Sequence, residues 1–195
     1  MKTAIKTLAV LGLCLVFLLS LVSCSNKQDP NAPEGYVTAS DECADYYLYV
    51  PSKWLVDTAK NSLMASARAS QYTSTPNVSM MPCSDDASEY VTIADYWNYY
   101  KGTLEKVFDP AKDENGNTTD KSSFALEGEG TSLKAGGRDA MKYVYTATLS
   151  GIELKYLQLI IKDGASMYIF TYTATLDSYD EEQVNGIISN IKFKD

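Results

Sequence analysis

The sequence predicts an α+β domain: one antiparallel sheet with a four-stranded meander toward the C-terminus, covered by two main helices. Three observations predict it. Strand-like runs between Phe124 and Thr175 are separated by Gly136-Gly137, Ser150-Gly151 and Asp163-Gly164, and such pairs favour the tight primed turns of antiparallel hairpins because those turns need positive φ. Ile93, Trp97, Tyr100, Leu104 and Val107 recur at the spacing of one helix face. Val184, Ile187, Ile188 and Ile191 make a second such stripe near the end.

The elements follow in chain order. Lys2 and Lys6 precede an apolar run from Leu8 to Val22, with no acid before Asp29. As a helix that run would be about 22 Å long, against a hydrocarbon core of about 30 Å. A basic start, a short apolar stretch and small residues after it read as a secretory signal peptide over residues 1–23; an uncleaved anchor is the alternative. The run ends at Leu21-Val22-Ser23-Cys24, which resembles the bacterial lipobox. The resemblance implies cleavage before Cys24 and a diacylglyceryl group on its sulfur. Because stable anchoring takes two or more acyl chains, lipid can replace the removed apolar run as the hold on a membrane. Residues 24–35, rich in Asn, Pro, Asp and Lys, read as a flexible tether, and residues 36–195 as a single domain.

Tyr36–Ala39 and Tyr46–Val50 have the aromatic and β-branched content of strands. Pro51 closes the second, and Trp54 behind it is expected in the core. Leu63–Ala69 and Asn77–Met81 are further strands. The first helix opens at Thr92, with Asp95 three residues later in place of the usual Glu of a capping box. Gly102 within it costs up to about 1 kcal/mol, which packing must offset. Asp109-Pro110 ends the helix. In the meander, Met141, Tyr143, Tyr145, Ala147 and Leu149 alternate with more polar neighbours, whereas Tyr156–Ile161 and Met167–Phe170 are apolar on both parities. Those two stretches require cover on both faces, as helices on opposite sides of the sheet would give. Ser178 with Glu181 is a capping-box candidate for the last helix, and Phe193 lies just past its end.

Several parts of this order resemble the PsbP-like superfamily: Tyr49-Val50-Pro51-Ser52-Lys53-Trp54, the strand Asn77-Val78-Ser79-Met80, the amphipathic helix, Gly137-Arg138-Asp139-Ala140 opening a Tyr-rich strand, the strands around Asp163-Gly164, and the closing helix with Ile191-Lys192-Phe193. The resemblance covers Tyr46 to Asp195. It implies an α/β/α sandwich around an antiparallel sheet. The superfamily shares no catalytic set, so it transfers no active residue.

Composition bounds the function. Removing the signal leaves 172 residues with 15 basic and 25 acidic side chains, net −10. That balance argues against nucleic acid, which rewards basic patches, and against charge-driven docking on anionic lipid. Histidine is absent, which removes the commonest general base and neutral metal ligand. No cofactor is expected. With Cys14 removed and Cys24 lipidated, Cys43 and Cys83 remain, an even pair in an oxidising compartment. A bridge between them would close a loop of about 40 residues and contribute roughly 4 kcal/mol; two free thiols are the alternative.

Three further clusters invite a functional reading. Asp113, Asn115 and Asn117 set oxygens at the first, third and fifth positions of a calcium loop, but Thr118 and Phe124 stand where that loop needs Gly and Glu; a solvated Asn-Gly turn is the alternative. Asp85, Asp86 and Glu89, with Asp41 and Glu42, could form an acidic patch, although acids before a helix are also favoured by its dipole. Fifteen tyrosines are the oddest feature. Tyr46 and Tyr47 must face opposite sides of a strand, and with Tyr99 they are candidates for an exposed aromatic platform that binds glycan or protein. The sequence therefore favours a non-enzymatic lipoprotein, anchored to membrane lipid through Cys24 on the extracytoplasmic side and binding an envelope protein or glycan. An envelope hydrolase with paired carboxylates and a cation-binding module are the alternatives.

Overall fold

The computed structural model describes residues 29–72, 76–83, 89–108, 124–149 and 151–194. In chain order the strands are β1 (Tyr36–Thr38), β2 (Tyr46–Tyr47), β3 (Tyr49–Pro51), β4 (Leu55–Val56), β5 (Ala65–Arg68) and β6 (Asn77–Pro82). Helix α1 (Ile93–Val107) follows, then β7 (Phe124–Leu126), β8 (Thr131–Ala135), β9 (Arg138–Leu149), β10 (Ile152–Asp163) and β11 (Ser166–Thr175). Helix α2 (Glu181–Ser189) and β12 (Lys192–Phe193) end the chain.

The main sheet has the order β4-β5-β6-β11-β10-β9-β7, with β8 also paired to β9, and every pairing is antiparallel. The expected meander is β8 to β11. Its first member differs from expectation: Phe124–Ala135 is two strands, β7 and β8, which lie one after the other along the same edge of β9. Two small ladders complete the fold, β1 with β3 and β2 with β12.

The central strands are buried on both faces, as their doubly apolar sequence requires. One core cluster joins Leu157, Leu159, Ile161, Phe170 and Tyr172 to Trp54, Val184, Ile187 and Ile188. The other joins Tyr143, Tyr145, Tyr156, Ile160 and Ile169 to Ile93, Trp97, Tyr100 and Leu104. Helix α2 and helix α1 thus cover opposite faces, and the molecule is an α/β/α sandwich.

Helix α1 begins as expected: the Asp95 amide donates to Thr92 Oγ1 at 3.1 Å, and that hydroxyl donates to Asp95 Oδ2 at 2.6 Å. At its other end Phe108, not Val107, enters the core. Helix α2 is capped by Asp180, whose Oδ1 accepts from the Gln183 amide at 2.9 Å. Ser178, the expected cap, instead sits in a 3-10 turn 2.7 Å from Thr175 Oγ1. A carboxylate one residue before the first helical turn wins over a hydroxyl already engaged.

Of the segment expected as a tether, residues 29–35 are described, and they contact the domain. Asp29 already packs on the domain, its Oδ2 accepting from Tyr49 Oη at 2.8 Å and its Oδ1 from the Asn31 amide at 2.8 Å. The Ala32 amide returns to the Asp29 carbonyl, and the Ser52 amide donates to Gly35. Residues 29–35 are therefore a docked strap.

Candidate functional site

The segment Tyr46–Tyr49 divides as the pleat demands, and it corrects one expectation. Tyr46 is not a surface residue. It is fully buried, with its ring edge-on to Tyr168 at 5.9 Å. Its Oη accepts from the Ala65 amide at 3.1 Å and its one proton faces the carbonyls of Leu63 at 2.8 Å and Met80 at 2.5 Å. The hydroxyl bridges the start of β5 to β6: it takes the Ala65 amide and faces the carbonyl of Met80, the residue paired with Ala65. Desolvation holds this phenol well above the ordinary tyrosine range.

Tyr47 points the other way and is half-buried. It stacks on Tyr49 at 5.8 Å with a 12° interplanar angle. Lys194 Nζ lies 4.8 Å from the Tyr47 ring centre and Lys192 Nζ lies 5.5 Å from that of Tyr49. Pairing of β2 with β12 brings these four side chains together. Such cation–π contacts are worth about 0.5–1 kcal/mol each at exposed sites. The two lysines were missed by sequence reasoning: nothing local signals that a strand two residues long at the C-terminus pairs with Tyr46-Tyr47.

Tyr99 is exposed as expected, at 47 % of its surface. It stacks on Tyr90 at 5.4 Å, beside Val91, which is 77 % exposed. The Val91 carbonyl accepts from Lys162 Nζ. Tyr96 and Tyr100 turn inward from the same helix, and Trp97 stacks on Tyr143 at 3.8 Å and 9°. One aromatic side of α1 is thus core, and near its start the exposed Tyr99 ring lies on the half-buried Tyr90.

Gln158 is a buried polar group at the centre of the sheet on the α1 face. Its Oε1 accepts from Tyr145 Oη at 3.1 Å and its Nε2 donates to Thr171 Oγ1 at 3.4 Å. The cross-strand register continues this row through Thr171 to Ser79 and Ser66. At the sheet edge Arg68 meets Asp57 at 3.0 Å. Burial raises the Asp57 carboxyl above its ordinary value, and the guanidinium opposes that shift.

The thiols are a second correction: Cys43 and Cys83 are free. Cys43 is exposed in the loop before β2, its Sγ donating to the Ser62 carbonyl at 3.3 Å. Cys83 follows β6 and packs against the cluster under α1, where burial pushes its thiol up to about 11. Ala44, beside Cys43, belongs to the α2-side cluster, so the sheet stands between the two sulfurs. Cys24, Asp85, Asp86, Asp113, Asn115 and Asn117 lie outside the described residues. Among the described residues no cluster of three or more Cys, Asp or Glu side chains could hold a metal ion, and no helix is long and apolar enough to cross a membrane.

No protein-family model matches the chain, and no curated protein matches it. Solved structures do. The cyanobacterial PsbP protein CyanoP from Synechocystis superposes with a TM-score of 0.55 at 14 % identity, covering 89 % of this chain and 98 % of that one. LpqN of Mycobacterium tuberculosis, described as involved in cell envelope biogenesis, gives 0.49 at 14 % identity, covering 77 % and 83 %. A Pseudomonas aeruginosa protein of unknown function gives 0.43 at 16 % identity, covering 68 % and 78 %. At such identities likeness is likeness of fold, and the CyanoP superposition spans nearly the whole of both chains: the domain has a PsbP-like fold.

Proposed function

We propose that the chain is a lipoprotein of the cell envelope, held by lipid on Cys24 at the extracytoplasmic side, whose PsbP-like domain binds another envelope protein or glycan without catalysing a reaction. One observation carries the reading: a short apolar run ends in Leu21-Val22-Ser23-Cys24, and the folded domain begins five residues later at Asp29. A signal is followed almost at once by a folded cargo. A binding role is supported by the chemistry present. The sequence has no histidine, and the groups moved furthest from their ordinary pKa are tyrosines pushed up by burial, Tyr46 and Tyr96 among them, which suit packing better than proton transfer. Exposed Tyr99, stacked on the half-buried Tyr90, with Val91 offers a contact of the amphipathic kind that interfaces favour.

Radiolabelled palmitate is expected to enter the wild-type protein in a bacterial host and not Cys24→Ser; equal labelling overturns the anchor. Cross-linking in intact cells tests binding: Tyr99→Ala with Val91→Ser is expected to reduce one discrete adduct, and turnover of a glycoside or ester by the purified domain would overturn the non-catalytic reading.

A further inference from the structure

The strap at residues 29–35 fixes which side of the domain can approach a membrane, given the lipid anchor proposed above. Five residue steps separate Cys24 from Asp29, and five fully extended residues reach at most about 18 Å. A domain of this length is about 40 Å across from its expected radius of gyration. The tether therefore reaches less than half the molecule's width. Asp29 is fastened to Tyr49 Oη at 2.8 Å, so the chain leaves the domain at one defined place. That place is the β2–β3–β12 surface with Tyr47, Lys192 and Lys194, over the buried Tyr49.

We infer that this surface rests on the lipid headgroups of the anchoring membrane, with Lys192 and Lys194 facing lipid phosphate and Tyr47 at the interface. The occupant is a bilayer surface, chosen by the length of chain between Cys24 and Asp29 and by the lysine–tyrosine pairs found where that chain leaves the domain. Both lysines lack a carboxylate at ion-pair distance among the described residues. The acids around them accept hydrogen bonds from the chain: Asp29 from Tyr49 and the Asn31 amide, with Lys192 near enough to help hold its carboxyl low, Asp41 from the Cys43 amide, and Asp45 from Tyr168 Oη. Glu42 is the remaining acid of the loop, and its carbonyl accepts from Lys194 Nζ at 3.0 Å. These hydrogen bonds leave the carboxylates charged, so the surface is not basic overall; Lys192 and Lys194, held over the Tyr49 and Tyr47 rings, are the cations it presents toward lipid phosphate. Tyrosine and lysine are also the side chains that sit well at a membrane–water interface.

Cys43 supplies the reporter. It lies in the same loop as Glu42 and Asp45, and its thiol is exposed. The mature lipidated protein, carrying Cys83→Ser, is labelled at Cys43 with a fluorophore and reconstituted in phosphatidylcholine–phosphatidylglycerol vesicles containing nitroxide-headgroup lipid. A reference probe sits at Ile152→Cys in a Cys43→Ser background. Ile161 pairs with Tyr168, whose hydroxyl reaches Asp45. Ile152 is nine residues further along β10, about 30 Å away at strand rise.

Quenching at Cys43 is expected to exceed that at position 152 several-fold, and Lys192→Gln with Lys194→Gln is expected to lower it while the protein still floats with vesicles. Equal quenching at both positions, in protein that floats, overturns the orientation alone. Unchanged quenching in the double lysine variant overturns the headgroup contact. Failure to float overturns the anchor and this inference with it. Shielding of Cys43 without vesicles, growing with protein concentration, would assign the surface to a second copy of the chain and overturn the lipid reading.

Discussion

Tyr46→Phe isolates a single oxygen atom. The ring stays, so its packing on Tyr168 is kept and no cavity opens. What is lost is an acceptor for the Ala65 amide at 3.1 Å and a donor for the carbonyls of Leu63 and Met80. Ala65 is itself fully buried, so water cannot replace the partner. Leaving a buried donor unsatisfied costs about 1–3 kcal/mol. At about 2 kcal/mol, and about 2–4 °C per kcal/mol for a domain of this size, the melting temperature is expected to fall by about 4–8 °C. Thermal unfolding followed by circular dichroism measures it. Tyr47→Phe is the internal reference: that ring is half-buried on the outer side of the same strand, and its loss of oxygen is expected to stay within about 0.5 kcal/mol. If the two variants melt together, the claim that the Tyr46 hydroxyl bridges β5 to β6 is wrong.

Two glycines should respond in opposite directions. Gly102→Ala in α1 meets nothing within 4 Å and should stabilise the domain by up to about 1 kcal/mol, seen as a higher denaturation midpoint. Gly136→Ala should destabilise it, because φ is +56° and the new Cβ would lie 2.8 Å from the Phe193 ring and 3.2 Å from the Ile191 carbonyl; an unchanged midpoint would contradict the close approach of the β8–β9 turn to β12. Alkaline titration followed by tyrosinate absorbance should show the buried phenols silent until the protein unfolds. Desolvation raises Tyr46, Tyr96 and Tyr168 in the folded state, so their stabilisation is complete below the unfolded value near 10 and is lost as pH rises through the raised folded values. Ionisation of all fifteen tyrosines before any loss of circular dichroism would refute this. Iodoacetamide mapping of the native protein should alkylate Cys43 well before Cys83, whose thiol is pushed up to about 11; equal rates would contradict its burial under α1.

What the sequence made legible was periodicity. Ile93, Trp97, Tyr100 and Leu104 are buried as their spacing implies, because each faces the sheet whatever the rest of the chain does. The doubly apolar β10 and β11 likewise revealed two covering layers. What stayed hidden depends on non-local pairing. Alternation said that Tyr46 and Tyr47 face opposite sides, but not which side is core; that is decided by β12, which arrives from the other end of the chain. The bridge between Cys43 and Cys83 was inferred from compartment, and compartment carries no information about which side of the sheet each sulfur occupies. The cap of α2 failed more locally: Ser178 had the right type of side chain, but Thr175 had already engaged it.

The same non-local pairing explains why the candidate surface is where it is. Lys192 and Lys194 flank Phe193, whose ring packs against Tyr168 at 5.0 Å and lies under the Arg138 guanidinium at 5.6 Å. The Lys194 amide donates to the Asp45 carbonyl. The C-terminal strand is thus fastened on one side to the loop before β2 and on the other to the β8–β9 turn. Asp29, at the start of the strap, is fastened to Tyr49 one strand away. Both ends of the domain therefore meet on one surface, and any pull from an anchor at Cys24 acts first on the Asp29–Tyr49 contact. Breaking that contact with Tyr49→Phe should lengthen the effective tether by the strap residues that come free and leave the buried core in place. In the vesicle assay the Cys43 probe would then be quenched less than in wild type while the melting temperature changes little. A variant that lost stability as much as Tyr46→Phe would show instead that the strap is part of the core, and that the domain's distance from the membrane is set by something other than its length.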